Sequence, residues 1–162
     1  MQKQAWPDTT SSRSRFNMKL FVAPLIILAS SAAHCQEWSS DTCNASLEHA
    51  YDFFAIRPGA ATQGDFNGDK ALDFAVVLDG KAHSGRSAIG VCLSNEARPL
   101  LITDPYQSAK IFTKPKGTAY TDFETENRGV YELDSISVSD GAWIGASYIL
   151  RGGVFVRVID RD

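Results

Sequence analysis

Four side chains that can offer oxygen ligands recur at short intervals in the first half of the chain. Asp65, Asn67, Asp69 and Asp73 occupy the first, third, fifth and ninth positions of one segment, and the apolar run Leu72–Leu78 overlaps its end. Ca²⁺ is a hard cation that takes about six to eight oxygen ligands, and a tight loop with alternating carboxylates supplies several of them. The spacing therefore predicts a calcium-binding loop over residues 65–73 that leads directly into a β-strand.

The segment GDFNGDKALDFAVVL, residues 64–78, resembles the aspartate loops of the FG-GAP and VCBS-type repeat families. In those families the pattern is approximately D-x-[DN]-x-D-G-x-x-D followed by an apolar strand, and the loop binds Ca²⁺ within a β-propeller blade. The resemblance covers a small part of the chain. It implies four side-chain ligands and one backbone carbonyl ligand, which are Asp65, Asn67, Asp69, Asp73 and the carbonyl of Ala71.

Departures from those families limit what the resemblance implies. Lys70 stands at the sixth loop position, where glycine is usual. Lysine disfavours a positive φ and places a cation beside the site, so we expect weaker binding. A propeller needs several blades and is not implied by one loop. Val76 stands where an EF-hand needs a bidentate glutamate. The alternative for the loop is a metal-free turn in which Asp and Asn accept hydrogen bonds from backbone N–H groups.

With its closing segment, residues 146–159, the chain is similar to a group of small exported bacterial proteins that carry one such loop near the start of a β-rich domain. The features of residues 1–35 agree with export, because Lys19 is followed by the apolar run Leu20–Leu28 and the small residues Ala29–Ala33. We predict a leader and signal peptide over 1–35, cleavage between Ala33 and Gln36, and a single domain over 36–162 in the periplasm or outside the cell. The apolar run is too short to span a bilayer, so membrane anchoring by this segment is disfavoured. We also expect no transmembrane segment in the mature chain.

The charge balance argues against two classes of partner. The chain carries 16 Lys and Arg against 19 Asp and Glu. Loss of the leader would remove four of the basic residues and one of the acidic ones, which leaves 12 against 18 and a net charge of −6. Nucleic acids and anionic lipids need clustered positive charge, which this domain lacks. We therefore expect a protein or a cell-envelope component as the partner, and no nucleic acid.

The cysteines predict one disulfide. Cys43 and Cys92 remain after cleavage, and a pair of cysteines in an oxidising compartment usually forms a bridge. We predict that this bridge joins the start of a helix to a strand. The alternative is two separate buried thiols. Lipidation of Cys35 is disfavoured, because His34 stands where a lipoprotein signal needs a small side chain.

Apolar periodicity predicts one helix followed by strands. Residues Leu47, Ala50, Tyr51 and Phe54 recur at three- and four-residue spacing, which predicts a helix over 43–56 that ends before proline 58. Runs rich in β-branched residues predict strands over 72–78, 88–93, 100–102, 110–113, 131–138, 143–150 and 154–159. The polar segment 104–128 predicts a long irregular loop. The predicted fold class is α+β, with one N-terminal helix packed on a mainly antiparallel β-sheet of about six or seven strands.

Three functional hypotheses remain open from the sequence. The first is an exported, non-enzymatic, calcium-stabilised binding or envelope-associated domain. The second is a hydrolase-type enzyme whose site lies in the 104–128 loop, where Glu124 and Glu126 could act as acid and base. The third is a metal-free structural or inhibitor-like secreted protein. We favour the first, because no G-x-S-x-G nucleophile elbow is present and no catalytic residue is identified.

Overall fold

The computed structural model describes residues 37–81, 87–104, 110–139 and 145–160. The predicted leader, signal peptide and cleavage site lie outside these residues, as does Trp143 of one predicted strand. No helix within the described ranges is long and apolar enough to cross a bilayer. The described elements are the helix α1 (Ser40–Ala50) and the strands β1 (Phe54–Gly64), β2 (Asp73–Gly80), β3 (Ser87–Cys92), β4 (Leu100–Asp104), β5 (Lys110–Lys114), β6 (Ala119–Thr121), β7 (Arg128–Val130), β8 (Ser135–Ser139), β9 (Gly145–Arg151) and β10 (Val154–Asp160).

The helix begins with a capping box. The Ser39 hydroxyl accepts from the Thr42 N–H, and the Thr42 hydroxyl accepts from the Ser39 N–H, so two N–H groups at the helix start are satisfied. The helix ends at Ala50, and the predicted extension to Ile56 was wrong. Phe54 and Ile56 instead enter β1, where Phe54 is buried against the sheet. Helical spacing of apolar residues did not distinguish a helix from a short turn followed by a strand.

β1 was not predicted, because its first residues were assigned to the helix over 43–56 and Pro58 was interpreted as the end of that helix. Regular pairing of β1 with β2 is interrupted between Ile56 and Ala61, so Pro58 lies in the irregular part of the strand. Proline lacks an N–H to donate, and a bulge is one place where a strand does not need that donor. Gly59 has a φ of 72°, which a residue with a side chain rarely adopts.

The strands form two four-stranded sheets and one two-stranded hairpin. Sheet A has the strand order β1-β2-β3-β4, and sheet B has the order β10-β9-β8-β5. All pairs are antiparallel. The α+β class with one helix is therefore confirmed, whereas the prediction of a single sheet of six or seven strands was wrong. Alternation along a strand shows which side chains are buried, but not which of two sheets the strand joins.

The inner faces of the two sheets share one apolar core. Ala75 of β2 and Ile89 of β3 face this core, whereas their neighbours Val76 and Ala88 point to the other face of sheet A. The buried members of this core are Phe66, Ala75, Ile89, Val91, Leu93, Ile136, Val138, Ala146 and Tyr148. Sheets A and B thus form a sandwich.

The two seams of the sandwich differ. Along one seam β1 lies against β5, where the Thr62 and Thr113 hydroxyls are 2.7 Å apart and Thr113 donates to the Gln63 carbonyl over 2.8 Å. We call this the closed seam. On the opposite side, β4 and β10 are the edge strands of their sheets. We call this the open seam.

The helix covers the outer face of sheet A, and a disulfide holds it there. The predicted Cys43–Cys92 bridge is confirmed, with a Cα–Cα distance of 5.9 Å. Both cysteines are fully buried, together with Leu47 and Trp38. The Trp38 indole N–H donates to the Leu93 carbonyl over 2.8 Å, which fixes the chain just before the helix.

The outer face of sheet B is covered by the β6–β7 hairpin. Tyr120 stacks on Tyr131 with 4.9 Å between ring centroids, and the buried Tyr131 hydroxyl donates to Asp160 over 2.6 Å. Burial and the Asp160 carboxylate strongly raise the pKa of Tyr131. The prediction of an irregular loop over 104–128 was therefore wrong for β6, whereas residues 115–118 and 122–127 form no strand, and residues 105–109 lie outside the described ranges. Short, half-polar strands gave no clear periodicity.

Close packing of the helix on sheet A depends on Gly90. A Cβ at this position would lie 2.5 Å from a Cδ atom of the buried Leu47. We expect Gly90→Ala to lower the free energy of unfolding by about 1–3 kcal/mol, because the added methyl group overpacks this contact. Urea denaturation measures this change. Leu47→Ala removes the clashing atoms, so the double variant should lose less stability than the sum of the single variants. Additive losses would contradict this explanation.

Candidate metal loop

The aspartate loop lies between β1 and β2, close to the closed seam. Its Phe66 side chain is fully buried in the core between the sheets. Asp134, which precedes β8, accepts hydrogen bonds from the N–H of Asp65 and of Lys116 through its two carboxylate oxygens. Gly68 approaches Leu133 so closely that a Cβ would lie 2.8 Å from it. The loop therefore contacts both sheets.

The backbone of the loop turns through the left-handed region twice. Gly68 has a φ of 83° and Lys70 a φ of 70°. Lys70 thus adopts, at the sixth position, the conformation for which the resembling families use glycine. The Asp65 carboxylate accepts from the N–H of Gly68 over 2.7 Å and from the N–H of Lys70 over 3.1 Å, which holds the turn in place.

Asn67 and Asp69 lie side by side with Ser94, which follows β3. The Ser94 hydroxyl donates to Asp69 over 2.6 Å, and the Asn67 amide donates to both Asp69 and Ser94. Asp69 also accepts from the N–H of Ala71. The Ser94 hydroxyl is the main cause that lowers the pKa of Asp69 below its usual value, and the Ala71 and Asn67 contacts act in the same direction. The Asp69 side chain remains exposed to solvent.

Asp73 lies beneath the loop and is completely buried. One carboxylate oxygen accepts from the N–H of Phe66 and of Asn67 over 2.8 and 3.2 Å, and the other accepts from the N–H of Ser94 over 2.7 Å. Burial raises the pKa of Asp73, while these hydrogen bonds oppose the shift. Asp73 therefore joins the start of the loop to the segment that follows β3.

The donor set suits Ca²⁺ in kind, because every predicted ligand atom is an oxygen. Asp69 is exposed and Asp65 and Asn67 are half-buried, whereas the carboxylate of the buried Asp73 is turned to backbone N–H groups inside the loop. As arranged, no group of three or more His, Cys, Asp or Glu side chains within the described ranges is placed to hold a metal ion. A bound ion would have to share these oxygens with the N–H groups that donate hydrogen bonds to them. The two oxygens of Asp65 and one oxygen of Asp69 each accept a single hydrogen bond and keep a second lone pair for such sharing, whereas the other Asp69 oxygen already accepts two.

Two residues of this site were missed from the sequence. Ser94 and Asp134 lie far from the loop along the chain, and both stand in polar segments next to strands. Only their place in the fold brings them to the loop, because β3 pairs with β2, and β8 lies in the sheet that meets sheet A at the closed seam. No spacing rule within the aspartate segment could have identified them.

The contact between Ser94 and Asp69 predicts a titration change. We expect Ser94→Ala to raise the pKa of Asp69 towards its usual value, because the hydroxyl that stabilises the charged carboxylate is removed. NMR titration of the aspartate carboxyl carbons measures this shift. Asp79 serves as the internal control, because its pKa is lowered by hydrogen bonds from Arg57 and not by Ser94. An unchanged Asp69 titration would show that the hydroxyl does not stabilise this carboxylate.

A scan against family models found no match, and searches of curated proteins and of solved structures also found none.

Proposed function

We propose that this chain is an exported, non-enzymatic binding or envelope-associated domain whose aspartate loop binds Ca²⁺. The observation that carries the proposal is the position of the loop. Asn67 and Asp69 lie side by side near its surface, the half-buried Asp65 carboxylate lies in the same turn, and the Asp65 N–H donates to Asp134, which directly precedes β8 of sheet B. An ion held by these oxygens and the Ala71 carbonyl would tie the junction of the two sheets.

The expected effect of Ca²⁺ is stabilisation of the fold. Drawing the carboxylates of Asp65 and Asp69 to one point costs electrostatic repulsion that a bound cation removes, and the ion binds the folded loop in preference to the open chain. By mass action, the gain is roughly 2.7 kcal/mol at a hundredfold excess of Ca²⁺ over its dissociation constant. Lys70 opposes binding, because its ammonium group adds a positive charge near the site.

Calorimetric titration of the mature domain with Ca²⁺ tests the proposal. We expect binding by the wild type, loss of binding in Asp69→Ala, and tighter binding in Lys70→Gly, which relieves the positive φ and removes a cation. The matched control is Asp122→Ala. Asp122 also accepts hydrogen bonds within its own turn, but it lies in the β6–β7 connection, so its loss should leave Ca²⁺ binding unchanged.

An unchanged melting temperature in millimolar Ca²⁺ and in chelator would contradict the calcium proposal. It would favour the second candidate, a metal-free structural or inhibitor-like protein. That candidate has an observation of its own, because Asp65, Asp69 and Asp73 already accept hydrogen bonds from backbone N–H groups.

The non-enzymatic interpretation is supported by the contacts of carboxylates in the segment where the enzyme hypothesis placed its site. Asp122 accepts from the Glu124 N–H and the Thr125 hydroxyl within one turn. The Glu124 carboxylate pairs with Arg157 over 3.1 Å. Asp122 is thus engaged in turn formation, and Glu124 in an ion pair on the hairpin.

The exported location is part of the same proposal. It is supported by the Cys43–Cys92 disulfide, because such bridges persist in oxidising compartments. Mass spectrometry of the protein purified from outside the cytoplasm should give a mature N-terminus between Ala33 and Gln36. An intact leader on that protein would contradict it.

A further inference from the structure

The open seam of the sandwich contains a groove between two edge strands. Its volume is about 510 Å³, within the usual range for ligand sites, about 300–1,000 Å³. One wall is β4, and the other is the start of β10. The side chains that line the groove are mainly apolar or aromatic, and they include Leu100, Ile102, Tyr51, Tyr148 and Phe155.

The apolar lining continues the core of the sandwich. Leu100, Ile102 and Phe155 are half-buried and pack against the buried cluster between the sheets. At the closed seam, β1 and β5 are in contact. At the open seam the same core reaches the surface between β4 and β10. An apolar side chain that entered the groove would therefore contact the existing core.

The β10 edge also presents backbone groups to this groove. The β9–β10 hairpin has the two-residue loop Gly152-Gly153, so Arg151 and Val154 form the first hydrogen-bonded pair. Because such pairs alternate along an antiparallel ladder, the N–H and C=O groups of Phe155, Arg157 and Ile159 point away from β9. The Ile159 carbonyl accepts from the Phe123 N–H, which agrees with this direction. Within the described ranges, the outward backbone groups of Phe155 and Arg157 have no such partner.

Among the described residues that line the groove, one carries a charge, and that charge is positive. It is Arg157, whose guanidinium is ionised at neutral pH. Its partner Glu124 is exposed and does not line the groove. Both members of this pair face solvent, so their attraction is weak. Arg157 therefore favours a ligand that carries a carboxylate over a ligand that carries a positive charge in this groove.

We infer that the open seam binds an extended peptide segment that adds a strand to β10, with apolar residues at alternate positions and a carboxylate beside Arg157. Strand addition to a sheet edge is a general mode of peptide recognition, in which backbone hydrogen bonds give affinity and alternate side chains give specificity. Here the alternate apolar residues contact Leu100, Ile102 and Phe155, and the acidic group meets the guanidinium. The inference rests on the proposed binding function and not on the calcium loop.

The test uses a synthetic peptide, acetyl-Thr-Val-Thr-Val-Thr-Val-Asp with a free C-terminus, and the mature disulfide-bonded domain. Binding is followed by amide chemical shifts in two-dimensional NMR, and we expect the largest shifts at Phe155 and Arg157. Two peptides are N-methylated, one at the odd and one at the even positions, because only one of these sets of N–H groups can face β10. In the peptide that loses this set, affinity should fall by about tenfold or more. Replacement of the terminal aspartate with an amidated lysine should reduce affinity by about three- to tenfold.

Two protein variants complete the test. Arg157→Gln should abolish the preference for the acidic peptide over the lysine peptide and leave apolar binding in place. The matched control is Arg151→Gln, because Arg151 is an exposed arginine of the same hairpin that contacts Tyr120 and does not line the groove. It should retain the preference.

Several outcomes would overturn the inference. The first is that the largest chemical-shift changes lie away from β4 and β10. The second is that neither N-methylation pattern changes the affinity. The third is a dimer in analytical ultracentrifugation that the peptide does not dissociate, because such a dimer would assign the seam to a second copy of this chain. Each titration is run in Ca²⁺ and in chelator. Failure of the calcium proposal therefore shows as absent metal binding, whereas failure of this inference shows as absent peptide binding in both conditions.

Discussion

The double variant Cys43→Ala/Cys92→Ala should lose about 4 kcal/mol of unfolding free energy. The bridge closes a loop between residues that are 49 positions apart, and in the chain-entropy model a loop of that size restricts the unfolded chain by about this amount. Both residues are fully buried, so truncation to alanine removes apolar contacts as well. For a small domain this is a large share of the total stability. Urea denaturation with a linear extrapolation gives the value.

A reducing agent provides the control for this experiment. Reduction should destabilise the wild type by most of the same amount and leave the double variant unchanged, because only the wild type has a bridge to lose. A double variant within about 1 kcal/mol of the wild type would contradict the entropic argument. It would mean that the packing of Leu47 and Trp38 holds the helix on sheet A without covalent help.

The second large effect is expected at Asp73. Asp73→Ala leaves the N–H groups of Phe66, Asn67 and Ser94 without their acceptor, in a place where the side chain is completely buried. Each buried donor without a partner costs about 1–3 kcal/mol, which gives about 3–9 kcal/mol for three. Because Asn67 is only half-buried and water can reach its N–H, we expect the lower half of this range, about 3–5 kcal/mol. The measurement is made in chelator, so that no metal contributes to the difference.

Asp65→Ala is the matched comparison, because Asp65 belongs to the same loop and also accepts two backbone N–H bonds. Asp65 is only partly buried, so water can replace its carboxylate, and we expect a loss of about 1 kcal/mol. Equal losses in the two variants would contradict a structural role for Asp73 beneath the loop. A larger loss for Asp73 would show that this residue supports the fold of the loop more strongly than the less buried Asp65 does.

The sequence predicted the parts of this fold that depend on short-range patterns. The strands from β2 to β5 and the β9–β10 hairpin agree with apolar runs and with the Gly152-Gly153 turn signal. The disulfide was found because the described part of the chain contains only the cysteines Cys43 and Cys92. The left-handed conformation at Lys70 was also foreseen from its position in the loop. In each case the information lies within a few residues or in a single possible pairing.

The failures have a common physical cause. Phe54 has the same apolar character on a helix and on a strand, and only its burial against sheet A assigns it to β1. The division of the strands into two sheets depends on contacts such as Thr62 with Thr113, which no local pattern encodes. Ser94 and Asp134 reach the loop by the same kind of long-range placement. Tertiary contacts decided these features, and one sequence does not display them.

The placement of the β6–β7 hairpin affects how the chain reaches its fold. Every strand of sheet A pairs with its neighbour in sequence, whereas β5 must find β8 across the whole hairpin. The base of the hairpin is closed by two backbone bonds, from the Gly117 N–H to the Tyr131 carbonyl and from the Tyr131 N–H to the Thr118 carbonyl. Once those bonds form, the effective loop between β5 and β8 is short, and the entropy cost of joining them falls. The hairpin should therefore speed the pairing of β5 with β8, because two strands that are joined by a short effective loop pair faster than two strands that are far apart along the chain.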